Sequence, residues 1–491
     1  MRKDVGVSIA SNRKLERQGS LLRHTTFMFL SLLVKLLTGV GIFIILARIW
    51  GAGTFGAFMF PYVATTLIAM VVDYGFGLQL VRDIGRAPDR LKEIVAQAAL
   101  AKVALVVPLI IGCGIAIPLM PLENGFRSLF IVLLAASILN SFALFFSLPL
   151  RAIGNFKAET RAAVIGNALL FAMVGLLAFL REGPLAIGLA FLFARGAYVW
   201  IAWRRLTRSV GGLDWRGTTL RAALETLWRG FPYGVHLFLA GLYFQVDSLV
   251  IQHILGDHSL GLHQAGMRFL LAGLIMADVL TNVYLPKMTS KDLTTSERVY
   301  NMSQMMRIGT AVGCLGMVVL GVGASFIVPR VYGQDYQELI PLLPYFGIVL
   351  FIRYAGAAWA LMLTVADRQA LRVLAVLVAL GVNLVLNFLL IPMHGLRGAL
   401  FASLLTHVVL NFIYMGFVWG AVRDLGVSSR IFLLFGVAGI FAMLIFLSAP
   451  LSTMGLMAVL VSLVLIVATL KPNEWVTLQN KVALKVLPRQ K

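Results

Sequence analysis

Long runs of apolar residues, separated by short polar segments, dominate the chain. A helix needs about 20 apolar residues to cross the hydrocarbon core of a bilayer, so each run of that length predicts one membrane-spanning helix. The pattern predicts fourteen such helices and therefore an all-α integral membrane protein. Their approximate limits are 26–48, 57–79, 93–120, 128–150, 162–180, 184–203, 231–255, 262–285, 307–329, 340–365, 370–391, 397–420, 431–449 and 452–470.

The polar connections between these runs are short. The longest, residues 204–230, falls below the roughly 50 residues that a folded soluble domain usually needs. Neither a P-loop nor a zinc-type histidine motif occurs in the sequence. No connection on the predicted outer side is long enough to carry the catalytic residues of a membrane glycosyltransferase. These features favour a transporter over an enzyme, with no metal site.

The distribution of positive charge predicts the orientation. The formal net charge is +21, from 42 Lys and Arg against 21 Asp and Glu, although only 13% of residues are charged. Lys and Arg in short loops resist translocation, and most of them lie on one side if the N-terminus is cytosolic. We therefore predict a membrane protein with both termini in the cytosol. The excess charge is attributed to topology rather than to nucleic-acid binding.

An internal repeat divides the predicted spans into two halves. The segment RIWGAGTFG at 48–56 aligns with HILGDHSLG at 253–261, at an offset of 205 residues. The same offset places Asp73 on Asp278. Repeats of six helices keep the same orientation, which predicts two lobes related by a pseudo-two-fold axis along the membrane normal. The predicted organisation is a tail at 1–25, lobes at 26–203 and 231–420, a linker at 204–230, two further helices within 431–470 and a tail at 471–491.

Ionisable residues occur inside several predicted spans. A charge near the bilayer centre costs about 2.5 to 3.5 kcal/mol on insertion scales, so such residues usually line a cavity or pair with each other. Cations outnumber acids here, and a cavity with surplus positive charge attracts an anion. The candidate substrate-binding residues are Lys35, Arg48, Lys102, Arg195, Arg268 and Arg353, and the candidate ion-coupling or counter-ion residues are Asp73, Asp247 and Asp278.

Depth in the membrane predicts which of these charges meet. Lys35 and Asp73 lie at similar distances from the inner ends of consecutive spans, so we expect them to pair. Asp247 and Arg268 are similarly placed near the outer side, and a second pair is expected there. For Lys102 the alternative is a snorkelling or carbonyl-bound position. The cations for which no acid is expected at the same depth are Lys102, Arg195 and Arg353.

Two segments carry recognisable motifs. The first is ARIWGAGTFGAFMF, followed after the second span by DYGFG, and the second is GVNLVLNFLLIPMHGLRGALFASLL. Together they resemble the polysaccharide-repeat-unit flippases of the multidrug/oligosaccharidyl-lipid/polysaccharide (MOP) exporter superfamily. The residues that carry this resemblance are Arg48, Gly51, Asp73, Tyr74, Gly75, Asn383, Asn387, Ile391, Pro392, Gly395 and Gly398.

The resemblance implies a flippase that moves undecaprenyl-diphosphate-linked oligosaccharide units across the bacterial inner membrane by alternating access. The products would enter O-antigen, capsule or exopolysaccharide synthesis. The implied partners are the lipid-linked oligosaccharide, membrane lipids, a glycan polymerase and a chain-length regulator, without a cofactor. Coupling to Na⁺ or to H⁺ stays open. The alternatives are a lipid II flippase, an ion-coupled multidrug antiporter and a non-transport scaffold of a glycan-assembly complex.

Overall fold

A computed structural model describes residues 36–119, 124–289, 295–366 and 368–422, together with Val34. Every regular element within these ranges is helical, which confirms the predicted all-α class. The α-helices are α1 (Ile42–Asp73), α2 (Phe76–Arg86), α3 (Leu91–Leu119), α4 (Asn124–Ala152), α5 (Phe156–Phe179), α6 (Pro184–Val210), α7 (Leu220–Thr289), α8 (Thr295–Val322), α9 (Ala324–Val331), α10 (Leu343–Val365) and α11 (Gln369–Val422).

Three of the long helices are interrupted by a glycine. Nine helices in the described ranges are long and apolar enough to span a membrane. Within α1, α7 and α11, the non-helical residues are Gly51 (φ 70°), Gly256 (φ 78°) and Gly395 (φ 58°). Because glycine has no Cβ, it adopts positive φ without a steric cost. α7 and α11 therefore each contain two predicted spans joined at a glycine, and α1 joins the end of the first predicted span to most of the second. The total of fourteen stays a prediction, since 431–449 and 452–470 lie outside the described residues.

The helix predicted at 57–79 ends earlier than expected. α1 stops at Asp73, because Tyr74 (φ 43°) and Gly75 (φ 70°) adopt left-handed backbone conformations. The chain then resumes as α2. A Cβ on Gly75 would overlap the backbone of Tyr233 on α7, so α7 packs directly against the break. Apolar periodicity could not reveal this end, since the residues on both sides of the break are apolar.

The connection between α6 and α7 is shorter than the predicted linker at 204–230. α6 continues to Val210 and α7 begins at Leu220. Both helices thus continue for several polar turns beyond their apolar stretches. Hydropathy alone assigns these polar turns to the loop. The lobe limits derived from this linker stay a prediction.

The described chain separates into two compact units. The first contains the residues up to Trp50 together with Ala57–Gln245, and the second contains Gly51–Gly56 and the residues from Val246 onward. In the first unit, the helices α2, α3, α4, α5 and α6 and the start of α7 share one apolar core. Representative buried side chains of this core are Phe76, Val95, Phe145, Ala162, Leu206 and Leu227.

The second unit contains a reciprocal backbone contact between two repeated segments. A Cβ on Gly56 would overlap the main-chain carbonyl of Asp257, and a Cβ on Gly261 would overlap that of Ala52. Both contacts therefore require glycine. Gly56 and Gly261, like Ala52 and Asp257, are separated by 205 residues, the offset of the sequence repeat. The two copies of the motif thus contact each other through equivalent positions.

Candidate functional site

The break after Asp73 creates a polar cluster in the first unit. The last carbonyls of a helix have no partner within the helix, and the helix dipole adds partial negative charge there. The carbonyl of Val72, at this end of α1, accepts a hydrogen bond from Lys102 Nζ at 3.0 Å. The local fold therefore presents a carbonyl and a carboxylate to a cation on α3.

Lys102 is the buried centre of this cluster, with a relative exposure of 1%. Its Nζ lies 3.4 Å from Asp73 Oδ1 and donates to Ser141 Oγ at 2.5 Å. The Ser141 hydroxyl in turn donates to the Asp73 carboxylate. The expectation that Lys102 has no acid at its depth is wrong. Lys102 lies as far from the inner end of its predicted span as Lys35 does, and the fold places α3 beside the end of α1. Three aromatic rings surround the ammonium group. The distances from Lys102 Nζ to the ring centroids are 5.6 Å for Phe76, 5.3 Å for Phe142 and 5.6 Å for Phe145.

A cavity of about 290 Å³ adjoins this cluster. Asp73 and Lys102 line one part of it, and a second ion pair, between Arg151 and Glu159, lines another. Arg151 Nε lies 3.1 and 3.2 Å from the two carboxylate oxygens of Glu159. Glu159 is mostly buried, with a side-chain exposure of 15%. Burying a charge is costly unless it is paired. Because the charges on the cavity wall form two ion pairs, the wall can be polar although the surrounding helices are apolar.

A second cavity, of about 230 Å³, contains Arg195. Asp73 lines this cavity as well, so the two cavities adjoin at this residue. Arg195 Nη1 donates to the Asn167 side-chain oxygen at 3.1 Å, and the Asn167 amide is itself fixed by a 2.8 Å bond to the carbonyl of Ala163. Within the described residues, the partner of this guanidinium is thus a neutral amide, and no carboxylate lies at salt-bridge distance.

The second unit contains a buried carboxylate among amide side chains. Asp247 on α7 has a relative exposure of 7%. Its Oδ1 accepts a hydrogen bond of 2.7 Å from Asn387 Nδ2, which also donates to Asn383 Oδ1 at 2.8 Å. Both asparagines lie on α11 and are buried. A carboxylate in such a setting favours either a proton or a bound cation, since neutral amides cannot balance its charge.

Arg268, further along α7, has its own polar neighbours. Its guanidinium donates to the Gln264 carbonyl at 3.2 Å and to the Gln264 side-chain oxygen at 2.5 Å. Tyr332 donates from its hydroxyl to the carbonyl of Ala265 at 2.9 Å, and burial raises the pKa of this tyrosine above its usual range. The structure thus gives both Arg268 and Asp247 amide partners, and their predicted direct pairing stays a prediction.

Arg353 on α10 is also accompanied by an acid. Its charge acts on Asp278 and on His407. His407 is held by a 2.8 Å bond between its Nδ1 and the carbonyl of Ser403. Asp278 on α7 therefore lies within electrostatic range of Arg353, whereas no acid was expected at its depth. Asp278 itself is exposed.

The remaining predicted residues are distributed differently. Lys35 lies outside the described residues, and Arg48 is exposed on α1 shortly before Gly51. The structure brings Asp73, Lys102 and Arg195 to the two adjoining cavities of the first unit. Sequence reasoning missed several polar residues there, although isolated polar side chains in apolar helices commonly hydrogen-bond inside a membrane bundle. These missed residues are Ser141, Arg151, Glu159 and Asn167.

Solved structures share this fold at low sequence identity. The lipid II flippase MurJ in an inward closed conformation matches with a TM-score of 0.64 and 14% identity, covering 91% of this chain and 98% of that one. An inward-facing multidrug resistance MATE family transporter of the MOP superfamily matches with a TM-score of 0.61 and 18% identity, covering 81% and 96%. The Vibrio cholerae MATE transporter VcmN matches with a TM-score of 0.58 and 15% identity, covering 85% and 99%. The predicted MOP-type fold is confirmed.

The amino-acid sequence identifies the family. Among curated proteins, none shows significant sequence similarity to this chain. A family model described as polysaccharide biosynthesis protein matches residues 21–291, which is more than half of the 491 residues. This match agrees with the resemblance carried by the Arg48, Gly51 and Asp73-Tyr74-Gly75 motifs, and with a transporter rather than an enzyme. The chain is a multi-pass membrane transporter that belongs to the polysaccharide biosynthesis protein family.

Proposed function

We propose that this transporter is a flippase for undecaprenyl-diphosphate-linked oligosaccharide units in the bacterial inner membrane. It moves each unit from the cytosolic to the outer leaflet, for O-antigen, capsule or exopolysaccharide synthesis. The observation that supports this best is Arg195, a cation that lines a cavity of the first unit with an amide as its partner. The family match supports a role in polysaccharide synthesis.

A diphosphate suits this cavity chemically. It is a compact anion, and a guanidinium binds phosphate oxygens through charge-assisted, often bidentate hydrogen bonds. Asp73 repels an anion from the same cavity, but Lys102 and Ser141 bind its carboxylate and offset part of this repulsion. Binding of the diphosphate shifts the transporter between conformations only as far as the two conformations differ in affinity for it. The other predicted cations, Lys35, Arg48, Arg268 and Arg353, are proposed to contact the diphosphate at other stages.

The alternatives differ in cargo or in class. A lipid II flippase would carry the same lipid diphosphate, and the fold alone is shared with both lipid II and multidrug transporters. A multidrug cation antiporter is less consistent with Arg195 in the cavity, since a fixed positive charge repels a cationic drug. A non-transport scaffold requires neither this arginine nor the cavity. The family match favours the polysaccharide cargo.

Replacing Arg195 by alanine tests the proposal. We expect surface glycan to fall to about a tenth of the wild-type amount or less, because a charge-assisted hydrogen bond contributes about 1.5 to 3 kcal/mol. Arg353→Ala is expected to act in the same direction. Glycan is measured by immunoblotting in a strain that lacks the chromosomal copy, and lipid-linked units are quantified in the inner and outer leaflets. Units should accumulate in the inner leaflet.

The matched control is Arg216→Ala, which removes the same charge from an exposed position between α6 and α7. It should preserve wild-type glycan. Full glycan production by Arg195→Ala, by Arg353→Ala and by their combination would rule out the assignment of these arginines. Growth rescue of cells depleted of their lipid II flippase would instead identify the peptidoglycan precursor as cargo.

We further propose that Asp247 binds the coupling cation, Na⁺ or H⁺. Asp247→Asn keeps the shape of the side chain but removes the charge, so the fold should persist while export falls about tenfold or more. The control is Asp257→Asn, at an exposed position of the same helix. Transport is measured in proteoliposomes with an imposed Na⁺ or pH gradient. A D247N protein that still responds fully to the gradient would exclude Asp247 as the coupling site.

A further inference from the structure

A groove separate from the two cavities lies where α5 begins and α6 ends. Its volume is about 540 Å³. Each helix contributes a stripe of side chains spaced by four residues, which places them along one helix face. In both stripes the residues nearest the helix ends are basic and the member furthest into the apolar part is hydrophobic. The stripes are Lys157, Arg161 and Ile165 on α5, and Trp200, Arg204 and Arg208 on α6.

The groove carries a concentrated positive charge. Five cationic side chains line it, and in the described part of the chain no carboxylate lies at salt-bridge distance from any of them. Glu159, on the same turn of α5, is instead paired with Arg151. The five side chains therefore repel each other unless an anion lies between them. They are Lys157, Arg161, Arg204, Arg205 and Arg208.

An apolar pocket of about 500 Å³ adjoins this groove. Trp200 lines both, and its ring lies 5.1 Å from the Arg204 guanidinium on the groove side. Aromatic and aliphatic side chains of α3, α4 and α6 form the walls of the pocket. They include Val103, Leu139, Phe142, Phe146 and Trp203, and Trp215 from the connection after α6 completes the lining.

We propose that the groove and the pocket together bind one anionic glycerophospholipid from the surrounding bilayer. The basic groove holds the phosphate of the head group, and the apolar pocket holds an acyl chain. Basic pockets between membrane helices are suited to anionic head groups, and a tryptophan at the junction provides both a polar and an apolar edge. A free phosphate would leave the apolar pocket without a function. The site shares no residue with the Arg195 cavity.

Native mass spectrometry of the purified full chain tests the proposal with dioleoyl-phosphatidylglycerol. We expect one tightly retained lipid per protein and at least about tenfold weaker retention of dioleoyl-phosphatidylcholine, whose head group has no net charge. Arg204→Ala/Arg208→Ala should weaken phosphatidylglycerol binding about tenfold or more, since each basic residue near an anionic head group contributes about 1 kcal/mol. Lys157→Ala/Arg161→Ala, on the opposite stripe, gives an independent test if the first variant fails to fold.

The matched control is Arg216→Ala/Arg221→Ala, which removes the same charge from exposed positions outside the groove. It should bind phosphatidylglycerol like the wild type. Equal weakening by the control and by the groove variants would show a general surface-charge effect and overturn the site. Tighter binding of farnesyl diphosphate than of phosphatidylglycerol, lost in the same groove variants, would assign the groove to polyprenyl cargo and also overturn the proposal. Displacement of the lipid by inorganic phosphate at equal concentration would likewise contradict it.

Fluorescence quenching tests the position of the acyl chain. Phosphatidylglycerol with brominated acyl chains quenches tryptophans that it contacts, so the wild type should show a saturable quenching component. This component should disappear when phenylalanine replaces Trp200, Trp203 and Trp215. It should persist in Trp228→Phe, because Trp228 is exposed and lies outside both surfaces. A saturable component that survives the triple replacement would show that the chain lies elsewhere.

Discussion

Lys102→Met is expected to destabilise the protein by about 3 kcal/mol, near the lower end of the range for breaking a buried ion pair. The lower end applies because the Asp73 side chain is 33% exposed and keeps some hydration. The substitution leaves the Asp73 carboxylate with Ser141 as its remaining side-chain donor among the described contacts. It also removes the ammonium charge that lies between three aromatic rings. Thermal unfolding in detergent and the amount of protein in membranes measure the effect.

Removing both charges distinguishes stability from transport. Asp73→Asn/Lys102→Met leaves no uncompensated carboxylate, so we expect it to be more stable than Lys102→Met alone. Because Asp73 lines both cavities, the double variant should still export less glycan than the wild type. A double variant that is as unstable as the single one would show that the ion pair is not the source of the loss. Wild-type export by a stable double variant would confine the pair to a structural role.

Gly56→Ala is expected to cost about 3 kcal/mol, because overpacking a tight contact typically costs about 1 to 3 kcal/mol and here the obstacle is rigid backbone. The new Cβ would overlap the carbonyl of Asp257, so the two segments must separate. Gly261→Ala is expected to act similarly against Ala52. Since both changes separate the same contact, their combination should cost less than the sum of the two. Chemical denaturation in detergent measures each free energy of unfolding.

Gly53→Ala is the matched control for this contact. It lies in the same helix, and no heavy atom lies within 4 Å of the position its Cβ would take. Alanine is preferred over glycine inside a helix by about 0.8 to 1 kcal/mol, so this variant should be as stable as the wild type or slightly more stable. If Gly56→Ala were as stable as Gly53→Ala, the close backbone contact would not exist in the membrane.

The glycines that organise the fold were accessible from the sequence, whereas the partners of the charges were not. Gly51 and Gly256 were aligned by the repeat, and the structure gives both positive φ. Their similarity could be found because it depends on local backbone geometry, which the residue type restricts strongly. The pairing of Lys102 with Asp73 was not singled out, because Lys35 and Lys102 lie equally far from the inner ends of their predicted spans. Depth alone cannot choose between two cations at the same level, and the choice depends on which helix packs beside Asp73.

The sequence by itself determined the class of the protein, its family, the approximate positions of its helices and the residues whose charge demands a partner. Apolar run length and residue chemistry are local properties, so they can be read from one chain. Only the tertiary structure decided which partner each charge has and which of them line a cavity. Those contacts join residues distant along the chain, such as Asp247 and Asn387, which are 140 residues apart. They depend on where each helix ends and which helices pack together, and no local pattern records that.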